Sequence, residues 1–186
     1  MKVAGKHMRS IWVETDGETV GAIDQTVLPH RFATIRLQTL QDAVHAIATM
    51  QVRGAPLIGA TAAYGVCLAL RRDASDESLE RAYSTLLATR PTAINLKWAL
   101  DEMMAAVRNR PREDRVAAAY RRAAEICDED VAINRAIGRH GMALIEQIAA
   151  KKPGARVNVL THCNAGWLAT VDVGTALAPV KLINDS

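Results

Sequence analysis

Three short turns hold the residues whose types and spacing could do chemistry. The most suggestive is Val157-Asn158-Val159-Leu160-Thr161-His162-Cys163-Asn164-Ala165-Gly166, where an apolar run of strand character passes through a polar turn into a helical pattern. A thiol at a helix N-terminus sits in the positive end of the backbone dipole and near unpaired amides, which lowers its pKa and favours the thiolate. Neighbouring residues of an extended segment point to opposite sides, so His162 is not the direct base for Cys163 and a Cys-His dyad is discounted. The competing reading of Cys163 is a buried, inert thiol.

The other two turns each put an arginine before a helix. In Val52-Arg53-Gly54-Ala55-Pro56, Pro56 suits a first helical turn, while Gly54 and Ala55 leave amides accessible beside a guanidinium. That combination can cradle a phosphate. It can equally be a loop arginine before a helix whose small residues only permit close packing. In Thr89-Arg90-Pro91-Thr92-Ala93-Ile94-Asn95-Leu96, Pro91 pushes Arg90 out of helical conformation and Thr92 can cap the next helix. Two such arginines could grip one phosphate; taken alone, Arg90 reads rather as an exposed arginine in an inter-helix turn.

The elements that must position these turns follow from periodicity. β-branched residues from Ser10 to Leu37, with a turn at Thr15-Asp16-Gly17-Glu18, predict a hairpin whose second strand ends at Pro29 and a third strand from Arg31. Thr39 and Asp42 have capping-box spacing ahead of a helix over 40–50. Helices are then predicted over 56–72, 76–88, 93–108 and 113–150, the last breaking near Gly138 or Gly141. At Lys151-Lys152-Pro153-Gly154 the period changes: Ala155 to Leu160 reads as a strand and 165–176 as a helix. The expected fold class is α/β, a small N-terminal β cap plus helical domain over 1–150, followed over 151–186 by the first strand-helix unit of an incomplete Rossmann-like parallel-sheet domain.

Composition narrows the classes. The 186 residues are 49% hydrophobic and 23% charged, enough for a real core. The formal net charge is +3, but the cations are interleaved with acids, as in Arg112-Glu113-Asp114-Arg115, so no nucleic-acid stripe is expected. Cys67, Cys127 and Cys163 are far apart, without paired metal-ligand spacing, and fit free thiols in a reducing cytoplasm. Cys67 and Cys127 lie in apolar helical patterns and read as core. No signal-peptide pattern opens the chain, and residues 1–7 read as a loose extension before Met8. The apolar run from Leu57 to Leu70 is shorter than the roughly 20 residues a membrane span needs. His7, His30, His45 and His140 read as solvated or satisfied, and Trp12 and Trp98 as core. No dinucleotide fingerprint, phosphate-binding loop or helical metal motif is present.

Taken together and in order, Arg53-Gly54-Ala55-Pro56-Leu57-Ile58-Gly59, Thr89-Arg90-Pro91-Thr92-Ala93-Ile94-Asn95-Leu96 and Leu160-Thr161-His162-Cys163-Asn164-Ala165-Gly166 resemble the methylthioribose-1-phosphate isomerase family, within the superfamily that includes the alpha, beta and delta subunits of initiation factor two-B. Asp24-Gln25-Thr26-Val27-Leu28-Pro29 looks like the family's early motif. The resemblance implies an isomerase of methionine salvage that converts cyclic 5-methylthioribose 1-phosphate to open-chain 5-methylthioribulose 1-phosphate. It places substrate binding on Arg53, Gly54, Ala55 and Arg90, and on Cys163 a role as transition-state stabiliser or proton-transfer partner. It implies no metal, no organic cofactor, no nucleic acid, no membrane, and a cytoplasmic homodimer in the full-length family.

The resemblance covers an N-terminal half. The family's general-acid Asp, and further substrate contacts including a Gln and an Asn-Lys pair, have no counterpart here, and the sequence after Pro179 departs from the family pattern. A frameshift, premature stop or truncation would explain this, and the chain alone is expected to be inactive. The alternatives are ribose-1,5-bisphosphate isomerase and a non-catalytic initiation factor two-B-like regulatory subunit; the joint presence of the Arg53 and Cys163 motifs favours an enzyme.

Overall fold

The apolar run from Leu57 to Leu70 dictates the architecture, because a helix that is hydrophobic on all sides must be surrounded. The computed structural model describes residues 2–163 and 165–185. In it, helix α2 (Ala55–Arg72) buries every residue from Leu57 to Leu70. Around it pack α1 (Leu40–Ala48), α3 (Asp76–Thr89), α4 (Ile94–Val107) and α5 (Arg112–Ala150). Small residues on α2 allow the close approach. A Cβ on Gly59 would stand 2.9 Å from the Asn95 carbonyl oxygen in the first turn of α4. The starts of α2 and α4, which carry the two arginine turns, are therefore neighbours.

The helices predicted between residues 40 and 150 are present, and so is the capping box: the Thr39 side chain accepts from the Asp42 amide while the Asp42 carboxylate accepts from the Thr39 amide at 2.9 Å. Thr92 does not cap α4. Ala93 holds the N-cap position without a side-chain bond. Helix α5 does not break. Its 39 residues run for about 58 Å, and Gly138 and Gly141 serve instead as a seat for the last helix. Cβ atoms on these glycines would stand 2.6 Å from Leu182 Cδ1 and 2.3 Å from Pro179 Cγ.

The β elements are small and antiparallel. Strands β1 (Lys2–Val3) and β2 (Lys6–His7) form a hairpin, so residues 2–7 are not a loose extension. Strands β3 (Ile11–Val13), β4 (Val20–Ile23) and β5 (Thr34–Leu37) form a sheet in that order. Strand β4 ends at Ile23 rather than at Pro29, because the Asp24 carboxylate accepts the Thr26 amide at 2.9 Å and starts a 3-10 turn over Gln25–Val27. Ile11, Val20, Ala22 and Leu37 face the helical core.

The C-terminal reading needs correction. Residues 155–160 are not a strand: no ladder forms, and Leu160 is 98% exposed. A lone strand has no partner for its amides and carbonyls, and the described residues supply no neighbouring edge. The helix read over 165–176 is also absent. A 3-10 turn (Trp167–Ala169) is followed by a folded-back loop in which the Thr175 amide donates to the Ala165 carbonyl at 3.1 Å, and then by α6 (Ala178–Asp185). The molecule is thus mostly helical with small antiparallel sheets.

Candidate functional site

The turn before α2 is shaped by Gly54, whose φ of 99° and ψ of 134° suit glycine alone. This N-cap provides no side-chain bond to the first-turn amides, and Pro56 follows within the first turn. Arg53 is exposed beside it. Arg90 stands at the C-terminal end of α3 with φ −146° and ψ 76°, and its carbonyl accepts the Ala93 amide at 2.9 Å. The side chain is half-buried. Pro91 thus breaks the α3–α4 connection where the sequence placed the break.

Cys163 is an exposed free thiol with φ 70°, and among the described residues after it no α-helix starts before Ala178. The dipole argument for a helix-start thiolate does not apply to this arrangement, and neither does the reading of a buried thiol. Asn164, part of the same motif, lies outside the described residues. Cys67 and Cys127 are buried; burial pushes Cys127 up to about 12 and Cys67 well above the usual thiol range, so both are core groups. Trp98 is 43% exposed, contrary to its reading as core, while Trp12 lies over Gly21, where a Cβ would meet the indole at 2.3 Å.

The first and third turns are united by the segment just beyond Cys163. Ala169 packs against the Gly54 backbone so closely that a Cβ on Gly54 would stand 2.3 Å from the Ala169 Cα. Groups from the N-terminal hairpin, the residue before β3, the turn after β4 and α5 hold this segment. Gln25 Nε2 donates to the Leu168 carbonyl at 2.7 Å. The Ser10 amide donates to the Val171 carbonyl at 2.9 Å. The Asp130 carboxylate accepts the Val171 amide at 2.8 Å, and His7 Nε2 meets Asp172 Oδ2 at 2.7 Å. Among the described residues the Arg90 turn is linked to this arrangement through the contact of α4 with Gly59.

Burial raises Asp130 above the usual carboxylate range despite its bonds from Val171 and Asn134. Burial would also raise Asp172, but hydrogen bonds, including those from His7 and the Val173 amide, hold it below that range. The Trp167 indole nitrogen is buried without a partner among the described residues, a donor left unsatisfied next to the Cys163 turn.

Asp130 and Asp172 were not singled out from the sequence. Asp130 carried a usable signal, since it falls within the inward-facing spacing of Cys127, Val131 and Asn134, where a carboxylate must have a partner. His7 has a defined partner because the β1–β2 hairpin brings it to Asp172. Among the described residues no group of three or more His, Cys, Asp and Glu side chains could hold a metal ion, and no helix is long and apolar enough to cross a membrane.

The chain is similar to known proteins in sequence and in fold. The model of the family described as the Initiation factor 2 subunit family matches residues 51–181. The chain is 62% identical over 180 residues to methylthioribose-1-phosphate isomerase of Paramagnetospirillum magneticum, covering 97% of this chain and 49% of that protein. It is 57% identical over 186 residues to the same-named protein of Rhodospirillum centenum, covering 100% of this chain and 50% of the relative. Among solved structures, 5-methylthioribose 1-phosphate isomerase from Pyrococcus horikoshii superposes with a TM-score of 0.82 at 34% identity, over 96% of this chain and 50% of that one. Translation initiation factor eIF-2B subunit delta from A. fulgidus gives 0.80 at 34% identity, over 96% and 52%. The chain spans about half the length of the curated relatives it matches.

Proposed function

The chain belongs to the initiation factor 2 subunit family, and on that premise we propose that it is the N-terminal half of an isomerase that converts 5-methylthioribose 1-phosphate to 5-methylthioribulose 1-phosphate. The observation that carries this reading is the seat of Ala169 on Gly54, which brings the segment after Cys163 onto the Arg53-Gly54-Ala55 turn. Two solved structures with different names share the fold at the same 34% identity, so fold alone does not separate enzyme from initiation factor. The motifs do, and relatives 55–62% identical carry the isomerase name.

The chemistry sets the roles. The substrate phosphate needs fixed positive charge and amide donors: Arg53, the Gly54-Ala55 backbone and Arg90 supply them at adjacent helix starts. The isomerisation breaks the C1–O4 bond, with O4 taking a proton. Hydrogen moves from C2 to C1, and the C2 hydroxyl gives up its proton to become the ketone, so no external oxidant or reductant is needed. In this reading Cys163 stabilises charge or exchanges a proton during that transfer. A second titratable group and a dry enclosure are also required. With Cys163 exposed and residues 155–160 outside any ladder among the described residues, both requirements point to a further domain, for which 151–186 would form the first part beyond the 1–150 cap and helices. Pairing of 155–160 in a parallel Rossmann-like sheet would close the site. The enzyme reading carries with it a cytoplasmic homodimer.

The test is turnover. Residues 1–179 joined to the remaining half of the Paramagnetospirillum magneticum relative should isomerise 5-methylthioribose 1-phosphate, while the 186-residue chain alone should be at least about 1000-fold slower, the scale of removing catalytic groups. A folded chimera without activity would defeat the proposal.

A further inference from the structure

A basic cleft lies between the β1–β2 hairpin, α5 and α6, and neither Arg53 nor Arg90 lines it. It encloses about 600 Å³ and is lined by Lys2, His7, Arg135, Arg139, Asp172, Val173, Lys181 and Leu182. Lys2, Arg135, Arg139 and Lys181 line it beside one carboxylate, that of Asp172. The carboxylate is already engaged, since Asp172 is 1% exposed and holds His7 at 2.7 Å.

The arginines of α5 are treated differently along its length. Arg115 pairs with Asp76, and Arg122 with Glu102, Glu125 and Glu129. Arg135 and Arg139 are exposed and make no ion pair among the described residues. They stand four residues apart on one helix face, where like charges repel. The cleft wall adds a second cost: buried Val173, a β-branched residue, is held at φ 72°, a left-handed conformation that such residues avoid and that concentrates at ligand sites.

We propose that this cleft binds a small phosphorylated anion carrying at least two negative charges, gripped by Arg135 and Arg139 from α5 and enclosed by Lys2 and Lys181. The guanidinium pair suits bidentate contact with phosphate oxygens, and the volume falls in the range of small-molecule sites. A bounded cleft fits a metabolite rather than a polymer, because the remaining cations are interleaved with acids instead of extending the surface as a stripe.

The probe is inorganic pyrophosphate, titrated calorimetrically into the 186-residue protein at low ionic strength. Saturable binding is expected, weakened at least tenfold in the doubly substituted Arg135→Gln, Arg139→Gln protein and unchanged in Arg121→Gln, which removes an equally exposed α5 cation outside the cleft. Circular dichroism confirms that each variant keeps its helices. No saturable binding, or equal weakening by Arg121→Gln, overturns the proposal. So does loss of binding in Arg53→Gln with retention in the double variant, which would place the anion at the turn before α2.

Discussion

The Cα of Ala169 occupies the space that a side chain on Gly54 would need, with the Ala169 carbonyl oxygen only 2.4 Å from where that Cβ would stand. Through this one contact, the turn that presents Arg53 is fitted to the segment that follows Cys163. Gly54→Ala should therefore lower stability by about 3 kcal/mol, combining backbone strain at φ 99° with the clash. Gly17→Ala is the control: its φ is 73° but nothing lies within 4 Å, so about 1 kcal/mol is expected. Urea midpoints measure both, and equal losses would show that the Ala169 contact contributes nothing.

Arg115 is buried, and its guanidinium donates to the carbonyls of Arg110 at 3.0 Å, Ala74 at 2.9 Å and Arg108 at 2.9 Å, while pairing with Asp76 at 2.6 Å. It ties the α2–α3 and α4–α5 connections together. Arg115→Ala should cost about 3 kcal/mol by leaving these carbonyls unpaired, whereas Asp76→Ala, on an exposed partner, should cost under about 1 kcal/mol. Thermal unfolding of the two variants distinguishes them.

Asp16 organises the β3–β4 turn by accepting the Glu18 and Thr19 amides at 2.9 and 2.8 Å, and these bonds lower its pKa from 3.8 to about 2. A depressed folded pKa stabilises the fold above the unfolded value and ceases to do so as pH falls through the folded one. The stability difference between the wild type and Asp16→Asn should be full at pH 6 and shrink between about pH 4 and 2. A difference constant across that window would mean the charge is not involved.

The two classes of cysteine should separate chemically. In the folded protein a bulky disulfide reagent should modify one thiol per chain rapidly, at Cys163, while Cys67 and Cys127 react only after denaturation. Rapid reaction of two or three thiols would contradict the packing of α2 against α5.

The elements that could be read from sequence are those whose causes are local. Thr39 and Asp42 announce the start of α1 by a reciprocal pair of bonds, and the Leu57 to Leu70 run announces a surrounded helix whatever its neighbours are. The unbroken α5 was less legible, because Gly138 and Gly141 are explained by Pro179 and Leu182, contacts some 40 residues away in the chain. Residues 155–160 have strand composition, yet a strand exists only when another pairs with it. The site divides in the same way. The arginine turns are visible as Gly and Pro punctuation, whereas His7, Gln25 and Asp130 act on backbone and side-chain atoms of 168–172 that no local pattern connects to them.

The proposed isomerase function requires Cys163 to act on a substrate held by the Arg53 and Arg90 turns. The most direct measurement is the steady-state rate of the chimera of residues 1–179 and the Paramagnetospirillum magneticum second half, carrying Cys163→Ala. The account predicts a fall in kcat of at least about 1000-fold with KM changed less than about threefold, the pattern of a group that acts in the transition state. A Cys163→Ala chimera that retains most of its kcat would contradict it.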